Sequence, residues 1–324
     1  MNRSKNKEAF LDLDKITIIG GMGFIGSQLA AKLSKFCKKI VILTRNKASN
    51  SSITVLPNLE IIQVDINDER TLKEYTKDSD ILINLVGILN EFDKINTFKL
   101  IHYDLVKKIS NALQANKIKR FLHISSLNAN PMSSSNYLKT KGMAEEFLLQ
   151  NTSSFCKVTI FRPSVVFGER DSFFNKFAKI LKFSPIFPLA CPTAKFMPIY
   201  IHDLTDFIID SINDIKTYNT SIDITGPKEY TFIELIKLTL KSLKIRRLVI
   251  PLGDNLSKIQ AFIFERLPGK LFSIDNYHSL KVDSTSTEGF KGTTCVEDVV
   301  PIYLNRLKNR NYIEELRKKS GRKQ

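Results

Sequence analysis

Two groups of residues in this chain have the types and spacing to do chemistry. The first is Lys15-Ile-Thr-Ile-Ile-Gly20-Gly-Met-Gly23-Phe24-Ile25-Gly26, an apolar run that ends in glycines spaced G-x-x-G-x-x-G. A bare turn can carry three glycines. A strand before them and a helix opening at Phe24 and Ile25 make the context of a dinucleotide pyrophosphate site. Gly20 lets the chain reverse out of the strand, Gly23 has no side chain to hold off a phosphate, and Gly26 lets the helix lie close on the sheet. The helix start then turns its free N–H groups toward the anion. The second group is Ser126 with Tyr137-Leu-Lys-Thr-Lys141. Four residues make about one helical turn, so Lys141 stands on the face of Tyr137. A phenol titrates near ~10, and a neighbouring ammonium lowers that value, which suits Tyr137 to proton transfer. Ser126, at a strand end, is placed to hydrogen-bond a carbonyl. Tyr-x-x-x-Lys also occurs on plain solvated helix faces, and only its company with the glycine turn gives it meaning.

Cofactor selection is read at the next strand ends. The second strand closes Val41-Ile-Leu-Thr44-Arg45-Asn46, where an acid would serve the ribose hydroxyls of NAD. A neutral Thr44 followed by Arg45 suits a 2′-phosphate instead, bound by two charge-assisted bonds, and points to NADP(H) with NAD(H) as the lesser cofactor. Arg45 as an ordinary solvated loop residue is the competing reading. Asp65 and Ile66 follow the third strand, from which a carboxylate reaches an adenine amino group. Leu85, Val86 and Gly87 follow the fourth, with Gly87 small enough for close backbone approach.

The elements that must position these residues alternate as strand and helix. Strand patterns fall at Lys15–Gly20, Lys39–Thr44, Leu59–Val64, Ile81–Val86, Arg120–Ile124 and Lys157–Phe161. Helical patterns fall at Phe24–Phe36, Glu69–Thr76, Thr97–Asn116 and Asn136–Gln150. That alternation predicts an α/β fold with a Rossmann-type doubly wound parallel sheet. After Gly168 it fails, which predicts a smaller C-terminal α/β lobe. The expected organisation is an N-terminal extension over 1–14, a dinucleotide-binding core over 15–168, a lobe over 169–305 interleaved with the core, and a basic tail over 306–324. Phe183, Ile186, Phe187, Leu189, Phe196 and Met197 either line an apolar substrate site in that lobe or form its core.

With 324 residues and 43% hydrophobic content the chain can bury a full core. Its four cysteines are far apart, which suggests neither a zinc ribbon nor a disulfide framework, and no metal is expected. The first fifteen residues read as no secretory signal, and the apolar stretch from Phe183 to Ile201 is broken by prolines and lysine, so a cytoplasmic protein is expected. The net charge of +16 is spread over the helices without a nucleic-acid motif, and no nucleic acid is expected. It concentrates in the tail, where Arg306, Lys308, Arg310, Arg317, Lys318, Lys319, Arg322 and Lys323 could meet anionic headgroups at the inner face of a membrane, or an acidic partner.

Beyond these readings the chain resembles the extended or atypical short-chain dehydrogenase/reductase superfamily, the NAD-dependent epimerase/dehydratase proteins. Within it the chain is most similar to bacterial homologues of the NADPH-binding accessory subunit of respiratory complex I. Asn84-Leu-Val-Gly-Ile-Leu-Asn-Glu91, His102, Phe121–Ala129, Ser135–Glu145, Phe161–Gly168 and Phe196–Asp203 carry that likeness over roughly residues 14 to 305. The resemblance implies a cofactor turn at Gly20, Gly23 and Gly26, NADP(H) selection through Arg45, a Ser126–Tyr137–Lys141 triad, and Pro163 to Val165 passing under the nicotinamide. His102 stands where sugar-nucleotide enzymes of the superfamily commonly have asparagine, and Ser126 and Tyr137 are closer in sequence than usual there. Both argue against a sugar-nucleotide substrate. His102 is either a satisfied core histidine or a cofactor-side residue. Two functions follow: reduction of a carbonyl or quinone-like apolar substrate by hydride transfer, or a non-catalytic NADPH-carrying role in assembling respiratory complex I or a quinone-biosynthesis complex.

Overall fold

The computed structural model describes residues 13–47, 53–91, 93–267 and 270–305. Most of the N-terminal extension, the Ser-rich stretch at 48–52 and the basic tail lie outside these residues. The chain divides into two compact units, one of Met1–Pro163, His202–Ile224 and Glu288–Phe290, the other of Ser164–Ile201, Thr225–Thr287 and Lys291–Gln324.

The first unit is built on one sheet. Its strands are β1 (Lys15–Ile19), β2 (Lys39–Thr44), β3 (Leu59–Gln63), β4 (Ile81–Asn84), β5 (Arg120–Ile124) and β6 (Lys157–Pro163). With β11 (Thr220–Thr225) and β14 (Phe290–Lys291) they run in the order β14-β11-β6-β5-β4-β1-β2-β3. All pairs from β3 to β11 are parallel. The inner strands are runs such as Ile-Val-Ile-Leu and Arg-Phe-Leu-His-Ile, buried on both faces, which is why they read as continuous rather than alternating apolar segments. The strand order reverses between β1 and β4, and the crevice at a reversal is where such sheets bind ligands.

Helices α1 (Phe24–Leu33), α2 (Glu69–Tyr75), α3 (Leu105–Ala115), α4 (Asn136–Phe147) and α6 (Ile201–Asp210) accompany this sheet. Asp68 starts α2 by accepting from Arg70 N–H, and Ser135 starts α4 by accepting from Leu138 N–H. The continuous helix expected over Thr97–Asn116 is instead a π-helical turn, Lys99–Asp104, that runs into α3. The core between sheet and helices includes Leu43, Leu82, Leu105, Ile109, Phe121 and Leu148. Arg120, buried in β5, donates to the carbonyls of Lys157, Ser211 and Ile212 and to Thr159 Oγ1, tying the end of α6 to β5 and β6. Burial lowers its guanidinium to about 10.

The second unit has three short ribbons: β7 (Val166–Phe167) with β10 (Ile199–Tyr200), β8 (Ile186–Leu189) with β13 (Leu248–Pro251), and β9 (Lys195–Phe196) with β12 (Tyr230–Thr231). Around them lie α5 (Phe174–Phe183), α7 (Phe232–Leu243), α8 (Asp254–Phe264) and α9 (Ile274–Ser279). Its core is aromatic, with Phe167, Phe174, Phe196, Tyr230 and Phe232 buried together. Leu189, Phe196 and Met197 belong to the buried interior, whereas Phe183 is 89% exposed and Ile186 50%. The apolar residues read together from the sequence therefore separate into core and surface. Cys37 and Cys156 are buried and Cys191 and Cys295 half-buried, all as free thiols.

Candidate functional site

The glycine turn after β1 is held from both sides. Gly20 donates to Leu43 O at 3.1 Å and accepts from Gly23 N–H at 3.2 Å. Its φ of +80° is a left-handed conformation, and a Cβ there would lie 3.0 Å from Val86 Cγ2 and 3.2 Å from Val86 N, so β1's turn and β4's following loop touch backbone to backbone. Gly26 approaches Gly21: a Cβ on Gly26 would sit 2.5 Å from Gly21 Cα. The residue of this turn pressed on the sheet is Gly21, whose Cβ would fall 2.8 Å from Ile42 Cγ1. The G-x-x-G-x-x-G spacing assigns that close fit to Gly26 and passes over Gly21. Gly23 differs, since its Cβ would meet only Gly20 O at 3.4 Å, ordinary contact distance. The fold itself does not fill the space at Gly23. Gly23 is also the N-cap of α1, has no side chain to cap it, and no acid stands in the first turn, which includes Phe24 and Ile25. The N–H groups there fit an anion.

At the ends of β2 and β3 a cavity of about 320 Å³ is lined by Arg45, Gln63, Val64 and Asp65. The Arg45 guanidinium donates to Asn96 Oδ1, and Asn96 in turn donates through Nδ2 to both oxygens of Asp93 at 2.8 and 2.9 Å. Asn96, with the N–H groups of Asn96 and Ile95, holds the Asp93 carboxyl below its ordinary range. Asp65 Oδ1 accepts from Asn67 N–H at 2.9 Å, which shapes the loop and leaves Oδ2 for a further donor. Ile66 is buried in the core, so only its backbone can serve a ligand.

The loop after β4 is fixed by buried side chains. Leu85 N–H donates to Ile19 O at 2.9 Å and Val86 N–H to Asn84 Oδ1 at 3.1 Å. Asn84 Nδ2 donates to His123 Nδ1 at 3.1 Å. Ile88 N–H donates to His102 Nε2 at 3.1 Å, which leaves the proton on Nδ1, 3.1 Å from Thr140 Oγ1. Thr140 passes its own proton to Asn136 O at 2.8 Å. His102 is thus a neutral, fully satisfied link between the loop at Gly87 and the helix that carries Tyr137. Burial, then the charge of Lys141, pushes its pKa well below the ordinary histidine value. Its ring also packs edge-on to Tyr137 at 5.4 Å, and Phe98 stacks on His102 at 5.5 Å and meets Tyr137 edge-on at 5.8 Å. The π-helical turn sets this ring cluster, a device that recurs at functional sites.

Lys141 is 3% exposed and donates to Ile124 O at 3.0 Å, with Gly87 so near that its Cβ would stand 3.4 Å from Nζ. Burial lowers the ammonium to about 8, an effect that Glu145 opposes. One turn on, Glu145 is buried and accepts from Arg162 Nε at 2.7 Å. Burial raises its carboxyl, and the Arg162 guanidinium offsets part of that rise. Four-residue spacing places Glu145 on the face of Lys141, a signal in the sequence that Tyr-x-x-x-Lys alone does not use. Thr140 and Phe98 carry no such signal. Helix α4 approaches the preceding loop closely at Gly142, where a Cβ would come 2.4 Å from Asn130 C.

Ser126, half-buried beyond β5, has a weak bond from its Oγ to Leu127 O at 3.3 Å. Pro163 closes β6 and accepts from Leu127 N–H at 3.0 Å. Val165 belongs to the second unit, where its carbonyl accepts from Ile199 N–H at 2.9 Å. Within the first unit, then, Gly20, Gly23, Gly26, Arg45, Asp65, Val86, Gly87 and Lys141 all lie at the carboxyl ends of β1 to β5 or on the segments that leave them. Among the described residues no His, Cys, Asp and Glu group could hold a metal ion, and no helix is long and apolar enough to cross a membrane.

The mouse mitochondrial NADH dehydrogenase (ubiquinone) 1 alpha subcomplex subunit 9 is 28% identical over 228 residues, 68% of this chain and 59% of the mouse protein. The subunit of the same name from Dictyostelium discoideum is 26% identical over 282 residues, 84% of this chain and 77% of that protein. The match to the mouse subunit thus spans about three-fifths of its length. Among solved structures, an epimerase of Methanothermobacter thermautotrophicus shares the fold with a TM-score of 0.70 at 17% identity, over 99% of both chains. The UDP-glucuronic acid 4-epimerase of Bacillus cereus, solved with UDP-glucuronic acid and NAD, gives 0.69 at 18% identity, over 90% of this chain and 99% of that one. The model of the NAD dependent epimerase/dehydratase family matches residues 16–208, a span that runs from the second residue of β1 through β6 and includes the glycine turn and helix α4, and the chain belongs to that family.

Proposed function

We propose that this chain holds NADP(H) at the carboxyl ends of β1 to β5 and serves as an accessory or assembly protein of a respiratory NADH dehydrogenase or a quinone-pathway complex. The observation that carries the reading is convergence. An uncapped helix start at Gly23, a cavity with Arg45 and Asp65, a close backbone passage at Gly87 and a buried ammonium at Lys141 lie along one end of one sheet. That order suits pyrophosphate, adenosine, and nicotinamide ribose in turn. Arg45, bonded to a neutral amide rather than a carboxylate, keeps its charge for a 2′-phosphate. The names of the NADH dehydrogenase relatives support the partner class.

A second reading keeps chemistry. Bound NADPH supplies a hydride; Tyr137 would give the proton to the substrate oxygen, Ser126 would hold that oxygen, and Lys141 would lower the phenol pKa. The locked Tyr137 ring and the Lys141 ammonium at about 8 favour it. Tyr137→Phe separates the two. In the accessory role the variant binds NADPH and supports normal respiratory activity in cells, whereas Gly23→Val loses both. A fall of ~10²–10⁴ in reduction of a quinone or carbonyl by the purified Tyr137→Phe protein, with NADPH still bound, would establish turnover instead. Purified chain without affinity for either nicotinamide dinucleotide would defeat both readings.

A further inference from the structure

Helix α8 in the second unit is inverted. The residues it buries are small, Ser257 at 1% and Ala261 at 0% exposure, fixed where Ser257 Oγ accepts from Cys191 N–H and Gln260 Nε2 donates to Pro188 O. Its outward face carries Leu256, Ile259, Phe262 and Ile263, each 51–55% exposed. A helix facing water arranges these the other way round. The neighbouring ribbon repeats the pattern. Phe187 and Val249 pack on the core, while Ile186, Leu248 and Ile250 look outward at 50%, 59% and 41% exposure. Large apolar side chains exposed together at this density mark a surface that is covered in use.

The charges name the cover. Residues 244–271 hold six Lys and Arg against two acids, and one of those acids, Asp254, is engaged by Lys281 and Tyr277. The Arg266 guanidinium carbon lies 3.5 Å from the Phe262 ring centroid, so this cation stacks directly on an aromatic of the apolar face. Outward Leu, Ile and Phe with a basic rim are the composition of a helix that lies in the headgroup layer of an anionic bilayer. We infer that the α8 face and the β8–β13 ribbon form a membrane-docking surface for anionic lipid. This goes beyond the cofactor reading and does not depend on it.

The chain has no tryptophan, so Phe262→Trp provides a single reporter on this face. With phosphatidylcholine vesicles containing about 30% phosphatidylglycerol, its emission should shift to the blue and be quenched by brominated acyl chains. A tryptophan at Ile215, 76% exposed in the first unit, should do neither. In flotation, Ile259→Ser with Ile263→Ser should lower the partition coefficient of the full chain by roughly tenfold or more, with the melting temperature unchanged because both side chains are exposed. Lys258→Gln with Arg246→Gln should weaken binding to these vesicles and leave the little binding to pure phosphatidylcholine as it was. The inference fails if the Phe262→Trp emission is indifferent to anionic vesicles, or if the serine pair floats like the parent chain, which would move binding to the basic tail. Self-association abolished by the serine pair, without vesicle binding by the parent, would assign the face to a second copy and overturn the lipid reading.

Discussion

Helix α1 of the first unit and helix α8 of the second both start from a glycine in extended conformation, Gly23 at φ −73°, ψ −177° and Gly253 at φ −66°, ψ 172°, with no side-chain cap. The first turn of α1 has no acid, so its N–H groups and positive dipole end stay open to an anion. The first turn of α8 has Asp254, which supplies the negative charge from within the chain. The flanks differ as well: α1 buries Gly26, Ser27, Leu29, Ala30 and Leu33, while α8 buries only Ser257 and Ala261. A glycine start is therefore a permission and not an assignment. The residues of the first turn and the face they pack decide whether it receives phosphate.

The sharpest way to break the comparison is a side chain at each start. Gly23→Val should leave the fold intact, because a Cβ there meets only Gly20 O at 3.4 Å, yet fill the space an anion needs. NADPH affinity should drop roughly a thousandfold, below detection by fluorescence titration. Gly253→Ala, where a Cβ meets nothing within 4 Å, should bind NADPH like the parent. Equal affinity of the two variants would remove α1 from the cofactor site.

Ion pairs set the units apart next. Arg162→Met strands the buried Glu145 carboxylate and should cost about 3 kcal/mol in denaturant unfolding. Lys195→Met breaks the pair with Glu229 on the surface of the second unit and should leave the unfolding midpoint where it was. Smaller again is the contrast of two arginines. Arg45→Ala removes a charge-assisted phosphate contact worth ~1.5–3 kcal/mol, so NADPH affinity should fall about ten- to a hundredfold while NADH affinity changes little. Arg247, whose guanidinium is already spent on Leu181 O and Lys182 O, should leave both affinities unchanged when replaced by alanine. Calorimetry that finds equal NADPH and NADH losses for Arg45→Ala would cancel the 2′-phosphate assignment.

How much of this was legible follows from the physics of each element. Strands β1 to β6 stand within two residues of their sequence boundaries: the inner ones, buried on both faces, are unbroken apolar runs, and the part-buried edge strand β3 keeps Leu59, Ile61 and Ile62. Strand β11, Thr-Ser-Ile-Asp-Ile-Thr near the sheet edge, has no such run and was not separable from loop. A 3.6-residue period cannot register the π-helical turn at Lys99–Asp104, and so the placing of His102 against Tyr137 was hidden. Glycine spacing located the turn but not the partner of each glycine, and Gly21 was missed. Hydrophobic composition did not separate the buried Phe196 from the exposed Phe183, since burial there depends on which side of a short ribbon or helix end faces the core.

The smallest effect concerns the histidines that the first unit buries and the second does not. His102 and His123 both sit well below the ordinary value of 6.5, burial being the first cause. With folded pKa values depressed, the unfolded chain takes up protons first as pH falls through about 6.5, and the folded chain cannot follow while Ile88 N–H occupies His102 Nε2. The histidine contribution to stability should thus be level above about pH 7 and decline from about 6.5 to 5.5, by up to ~1.4 kcal/mol per pH unit for each buried histidine. His102→Asn removes one titrating group from that window. Urea unfolding at pH 7.5, 6.5 and 5.5 should show a slope shallower by ~1 kcal/mol per unit than the parent's. A parent slope unchanged by His102→Asn would mean that His102 titrates freely in the folded chain and does not hold the Gly87 loop to helix α4.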